Sequence, residues 1–246
     1  MTLEECDALM AVTDNMQIGF QRRFRCRHPR HQGGSRLRSS RSALLADSDR
    51  TRHCSWHTRI HRRQRRHFPR HARARPRSGR WITGSEITSV YATGTVRNHP
   101  DYAAADDFDV VTATLTTESG VPILVSGTRH DPVGHDIRME AFGSLDSMSA
   151  GLDGRTPLHV SESGDEAELL AEHLGGLDRG QVEPYAGFMD RFRPAFTAET
   201  SAYVDFARGE RANPCTPAEA RAALALAIAC DLSAREGRIV DVAEVG

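Results

Sequence analysis

Sixty consecutive residues, 21–80, hold twenty of the chain's 32 basic residues and only two acids, Asp47 and Asp49. That block carries +18, while the remainder, with 12 basic against 31 acidic residues, carries −19, so the near-neutral total of −1 hides a sharp split. Apolar residues in the block recur at neither helical nor strand spacing. They are too sparse to offset the chain entropy lost on ordering. Residues 25–80 are therefore expected to be irregular and exposed, and the core must come from the flanks. Three parts follow: 1–24, the Arg/His-rich 25–80, and 81–246.

The first part reads as a helix followed by a strand. Thr2 with Glu5 three residues later is a capping box, Leu3, Leu9, Met10 and Val12 form a short apolar stripe, and "MQIGF" has the composition of a buried strand. After residue 80 the pattern turns strand-like. "ITSVYATGTV" is a strand, and "DFDVVTATLTT", the turn "ESG" and "VPILVSGTR" form a hairpin with alternating faces. "IRMEAFG" is a further strand and "PLHVS" another candidate. Two helices follow. In the first, Phe188, Phe192, Phe196, Tyr203 and Phe206 recur at mostly helical spacing, the mark of a core stripe, and Gly209 is the stop. The second opens with Thr216, Pro217 and Glu219, a capping box with proline at the first helical position. Its centre, "ALALAIAC", is apolar on nearly every face and belongs in the core, and "RIVDVAEV" supplies a short last strand after Gly237. Strands first and helices afterwards imply an α+β fold, a mostly antiparallel open sheet with helices on one face.

Composition narrows the function. The cysteines Cys6, Cys26, Cys54, Cys215 and Cys230 are odd in number and without CxxC spacing, which argues against a disulfide framework or a structural zinc site. There is no apolar run of membrane-spanning length and no basic, apolar leader at the N-terminus, so a cytoplasmic protein is the expectation.

Three readings compete for the basic block. Dense arginine suits phosphate contacts, and Trp56 or Phe68 has the face on which a base stacks, although charge runs are more often simply solvated. The histidines His53, His57 and His61 have helical i, i+4 spacing for a metal, but surrounding arginine repels a divalent cation. The third reading is that the block is translated out of frame. Every basic residue is Arg, none Lys, as expected of a GC-rich gene, and such genes read out of frame give Arg, Pro, Ala, Ser, Gly and His. Taking the last two bases of each codon with the first of the next, Ile60 to Gly79 permit the string "FIAGSGGIFRDMHVHDLDLV". The chain then resumes with "RWITGSE".

That permitted string resembles the glucose–fructose oxidoreductase/inositol dehydrogenase family (Gfo/Idh/MocA), which carries GG-x3-D-x3-H-D-x-D just before an "RWLTG"-like turn. The flanks resemble the same family independently. "TLEECDALMAVTDNMQIGFQRRF" is similar to the end of its dinucleotide-binding domain. "VSGTRHDPVGHDIRMEAFGSLDS" and "FMDRFRPAFTAETSAYVDFARG" are similar to the strand and helix of its C-terminal domain, most of all in inositol 2-dehydrogenase-type members. The resemblance implies a remnant αβ piece of a Rossmann domain in residues 1–24, then a substrate and oligomerisation domain in 81–246. It implies homodimers or homotetramers formed through the free face of the sheet. It also implies hydride transfer between a sugar or polyol carbon and NAD or NADP, with a Lys and the Asp and His of the D-x3-H motif handling the hydroxyl proton.

This chain departs from that pattern at each chemical part. It has no GxGxxG and no lysine, and Arg70 and Ala74 stand where the motif places its Asp and His. No catalytic residue, bound cofactor or turnover is expected of the chain as it stands. A non-catalytic oligomerisation module and an Arg-rich nucleic-acid binder are the alternatives. His135 and Asp136 match the family's "YD" near the polyol pocket, with a structural role on a strand equally open. Arg22 and Arg23 match its domain junction, or else occupy a solvated turn. Arg191, Arg193 and Glu199 fall on a helix, where charge commonly faces solvent. The out-of-frame reading fixes three bases in advance, given CGN arginine codons. The wobble bases of Arg70 and Ala74 are A and that of Arg66 is G. Sequencing the gene across Phe24–Trp81 checks this, and other bases at those three positions end the explanation.

Overall fold

The computed structural model describes residues 2–13, 15–24, 40–48, 75–97, 100–129, 137–144, 147–151, 155 and 185–246. Its strands are β1 (Ser40–Ser48), β2 (Ile87–Thr95), β3 (Val110–Thr117), β4 (Pro122–Thr128), β5 (Ile137–Gly143), β6 (Ser147–Ala150) and β7 (Val240–Asp241). The helices are α1 (Leu3–Val12), α2 (Arg75–Thr83), α3 (Pro100–Ala104), α4 (Phe188–Ala207) and α5 (Pro217–Glu236), with short 3-10 turns at Gln21–Phe24 and Val242–Glu244. The described strands form one seven-stranded sheet in the order β6-β5-β1-β4-β3-β2-β7. β1 runs parallel to β4, and every other pairing is antiparallel.

The alternation read in the sequence sorts the sheet's two faces. Val90, Leu115 and Ile123 are register partners across β2, β3 and β4, as are Ala92, Ala113 and Val125, and all six are buried. The residues between them form the opposite rows, Tyr91–Thr114–Leu124 and Thr93–Thr112–Ser126, and are exposed. The β3–β4 turn closes through Thr117, whose Oγ1 accepts from Val121 N at 2.8 Å, while Gly120 takes a φ of +79° that a side chain would resist.

α5 covers the inner face. Its box is complete: Thr216 Oγ1 accepts from Glu219 N and Glu219 Oε2 accepts from Thr216 N, with Pro217 at the start and Gly237 at φ +67° as the cap. Ala223, Leu224, Ala225, Leu226, Ala227, Ala229 and Cys230 are all buried, as the apolar centre predicts. The many alanines let the helix axis approach the sheet closely. Ser233, fully buried near the end of α5, accepts from Ala92 N at 2.9 Å and donates to Arg238 O at 2.5 Å, which ties the helix to β2 and to the approach to β7. α2 packs beside α5 against β1 and β4, and α1 rests on α5 through Leu3 and Cys6.

Four expectations change. Residues 25–80 are not irregular throughout, because Ser40–Ser48 is an interior strand and Arg75–Thr83 a helix. A strand so placed gains ladder partners on both edges, and backbone pairing of that extent outweighs the poor periodicity of a nine-residue piece. The sheet is consequently not confined to residues 81–246. "MQIGF" forms no strand: residues 15–20 carry no ladder, and Ile18 N reaches only Cys215 O, at 2.9 Å. The α1 stripe is partial, since Leu3 is buried but Leu9 and Val12 are exposed. The aromatic stripe of α4 buries Phe192 fully yet leaves Phe188 and Tyr203 exposed. "PLHVS" lies outside the described residues. The short strand β6 and helix α3 carry no periodicity long enough to announce them.

Two outcomes follow for stability. Ser233→Ala strands a buried Ala92 N–H and is expected to cost about 1–3 kcal/mol in urea denaturation. Leu44→Pro removes a donor from a strand paired on both sides and is expected to destabilise by about 3 kcal/mol or more. A Leu44→Pro chain as stable as the parent would show that β1 is not part of the working sheet.

Candidate functional site

The predicted site residues fall into two groups. Arg70, Ala74, His135 and Asp136 lie outside the described residues, as do His53, His57 and His61. The others lie on two elements that pack together, Arg22 and Arg23 on the Gln21–Phe24 turn and Arg191, Arg193 and Glu199 on α4, and they make separate sets of contacts.

Arg23 is a bracket. Its guanidinium donates to both carboxylate oxygens of Glu219, at 2.5 and 3.2 Å, and to Pro214 O, and it lies 5.8 Å from the Trp81 ring centroid. It thereby pins the Gln21–Phe24 turn to the start of α5. Arg22 reaches over the Phe192 ring, 5.9 Å from its centroid. Gln17 Nε2 donates to Glu199 O at 3.4 Å, and Asn213 Nδ2 to Met16 O at 2.8 Å, so residues 15–20 are held by side chains rather than by a ladder.

Arg191 departs from the expectation of a solvated helix charge. It is 3% exposed, and its Nη2 donates to Ile137 O at 3.1 Å and to Gly151 O at 2.8 Å. One guanidinium therefore joins the start of β5 to the residue after β6. Gly151 makes the approach possible: at φ +100°, an added Cβ would sit 1.9 Å from Ile137 O. Tyr185 stacks against two arginines, 4.8 Å from Arg191 and 4.2 Å from Arg155. Arg155 in turn forms a two-point pair with Asp190, at 2.6 and 3.2 Å. That pair, with a hydrogen bond from Ala186 N, holds the Asp190 carboxyl below its ordinary range. Arg193, two positions along from Arg191, is exposed as expected, and Glu199 is half-buried. Sequence gave no signal for Arg155, Tyr185 or Gly151, because their roles depend on which carbonyls and rings the fold brings to them.

Three described helix starts carry carboxylates. Pyrophosphate binding needs free amides at a helix N-terminus. At α1 and α5 the Thr2 and Thr216 hydroxyls accept from Glu5 N and Glu219 N, and the glutamates return to the cap amides. At α4, Asp190 stands in the first turn. Each of these helix starts thus presents a carboxylate where a phosphate would come. No group of His, Cys, Asp and Glu suited to a metal occurs among the described residues. Cys230, buried in α5, has its thiol pushed up to about 12 by burial and by the neighbouring Asp231, which suits packing and not nucleophilic chemistry.

The other feature of note is the sheet face on which no described helix packs. Across β2, β3 and β4 it presents Tyr91, Thr93, Thr112, Thr114, Thr116, Leu124 and Ser126 without a charge, with the Thr93 and Thr112 hydroxyls 2.8 Å apart. Tyr91, Leu124 and Phe142 are each between 44% and 49% exposed. Among the described side chains, charge enters this face at its two sides, as Arg138 and Glu140 on β5 and as Asp241 on β7.

Residues 78–149 match the model of the GFO/IDH/MocA C-terminal domain. The chain is 30% identical over 162 residues to a myo-inositol dehydrogenase of Streptomyces leeuwenhoekii, covering 65% of this chain and 44% of that protein. It is 32% identical over 164 residues to inositol 2-dehydrogenase 1 of Saccharopolyspora erythraea, covering 66% and 43%. The chain thus spans less than half the length of these relatives. In fold it is similar to a myo-inositol dehydrogenase from Corynebacterium glutamicum, with a TM-score of 0.76 at 23% identity over 97% of this chain and 68% of that one. It is also similar to a scyllo-inositol dehydrogenase from Lactobacillus casei, solved with NAD(H) and scyllo-inositol, with a TM-score of 0.74 at 18% identity over 99% and 71%.

The clamp yields a paired test. Arg191→Leu is expected to lower stability by about 2 kcal/mol, as lost charged hydrogen bonds do, whereas Arg193→Leu should stay within about 0.5 kcal/mol. Urea denaturation of both reads the difference. A second test uses pH. Because the folded-state pKa of Asp190 is depressed, its contribution is present above the ordinary carboxylate range near about pH 4. It is lost as pH falls through the folded value. The melting temperature of Asp190→Asn should therefore fall less steeply on acidification than that of the parent.

Proposed function

We propose that this chain is the substrate-side and self-association portion of an NAD-dependent inositol or sugar dehydrogenase, and that it does not carry out the hydride transfer by itself. The observation that carries the reading is the uncharged open face centred on Leu124. It lies on a sheet of the family's C-terminal type and in a chain where a quarter of the residues are charged. Fully solvated sheet faces carry charge, and depletion of charge marks surfaces that lose their water. A second copy of the chain is the partner this face fits, and a dimer or tetramer results.

Several observations support the absence of turnover. Lysine is missing from the sequence, and in this reading Arg70 and Ala74 stand where the resemblance puts the family's Asp and His. The starts of α1, α4 and α5 carry carboxylates. Residues 1–24 stand in this reading as the end of a dinucleotide-binding domain, with α1 resting on α5. The Arg-rich block stands as out-of-frame coding sequence, and His135 and Asp136 remain on the polyol side. No described helix is long and apolar enough to cross a membrane, and the reading places the chain in the cytoplasm.

Two measurements test the proposal. Isothermal titration of the full chain with NAD or NADH should show no binding in the micromolar range, and a micromolar dissociation constant would overturn the non-catalytic part. Sedimentation analysis should show a dimer or larger species that Leu124→Asp with Tyr91→Asp converts to monomer, without loss of the cooperative unfolding transition. A parent chain that sediments as a monomer at tens of micromolar would overturn the self-association part and leave the cofactor result untouched.

A further inference from the structure

We draw no further inference here: the strongest candidate, the uncharged open face of the sheet carrying Tyr91, Leu124 and Phe142, belongs to the surface already assigned to self-association, and nothing among the described residues shows what else covers it.

Discussion

The seating of α5 on the inner face of the sheet is the contact from which the rest follows. Ala223, Leu226, Ala227 and Cys230 on the helix and Val90, Ala92, Leu115 and Ile123 on the sheet are all essentially dry. Each fully buried Leu or Ile contributes on the order of 1.5–3 kcal/mol relative to exposure. That burial offsets the ordering of strands whose sequence separations are long. It also decides which sheet face is inner, and so leaves Tyr91, Leu124 and Phe142 outside. α1 and the Gln21–Phe24 turn then dock onto α5 through Leu3, Cys6 and the Arg23–Glu219 pair, and do not bring a sheet of their own.

Arginine does most of the joining at the periphery. Arg23, Arg155, Arg191 and Arg235 each make more than one contact, to carboxylates, backbone carbonyls or aromatic faces. The planar guanidinium with five donors suits such bridges better than a lysine ammonium would. A chain without lysine still builds its ion pairs this way. The arginines of residues 21–80 share that chemistry, and of those described Arg23 pairs with Glu219, Arg80 pairs with Glu86 and Arg22 lies over the Phe192 ring. Charge alone therefore says little about which arginine in a run is structural. The outcome depends on the carboxylates and rings within reach.

The match to the family's C-terminal domain and the proposed absence of turnover have different physical bases, and the reason is local. A C-terminal sheet domain is held by burial and by ladders, and it tolerates wide change outside the core. Hydride transfer needs a phosphate cradle and a positioned proton acceptor, which depend on single residues. The match over residues 78–149 falls on the sheet. The proposed losses fall at Arg70, Ala74 and the absent lysine, where one substitution is enough to remove a role.

Sequence by itself determined the elements whose pattern is local and repeated. The β2, β3 and β4 faces followed from strict alternation, α5 from its capping box and apolar centre, and the stop of α4 from Gly209, which takes φ +75°. Period and caps act over a few residues, so they can be read before any partner is known. Tertiary structure alone decided what depends on partners distant in the chain. Ser40–Ser48 is a strand because β4 and β5 offer it two edges, and Met16–Phe20 pairs with no described strand. Arg191 is buried and Arg193 exposed on the same helix because only one of them meets the carbonyls of Ile137 and Gly151.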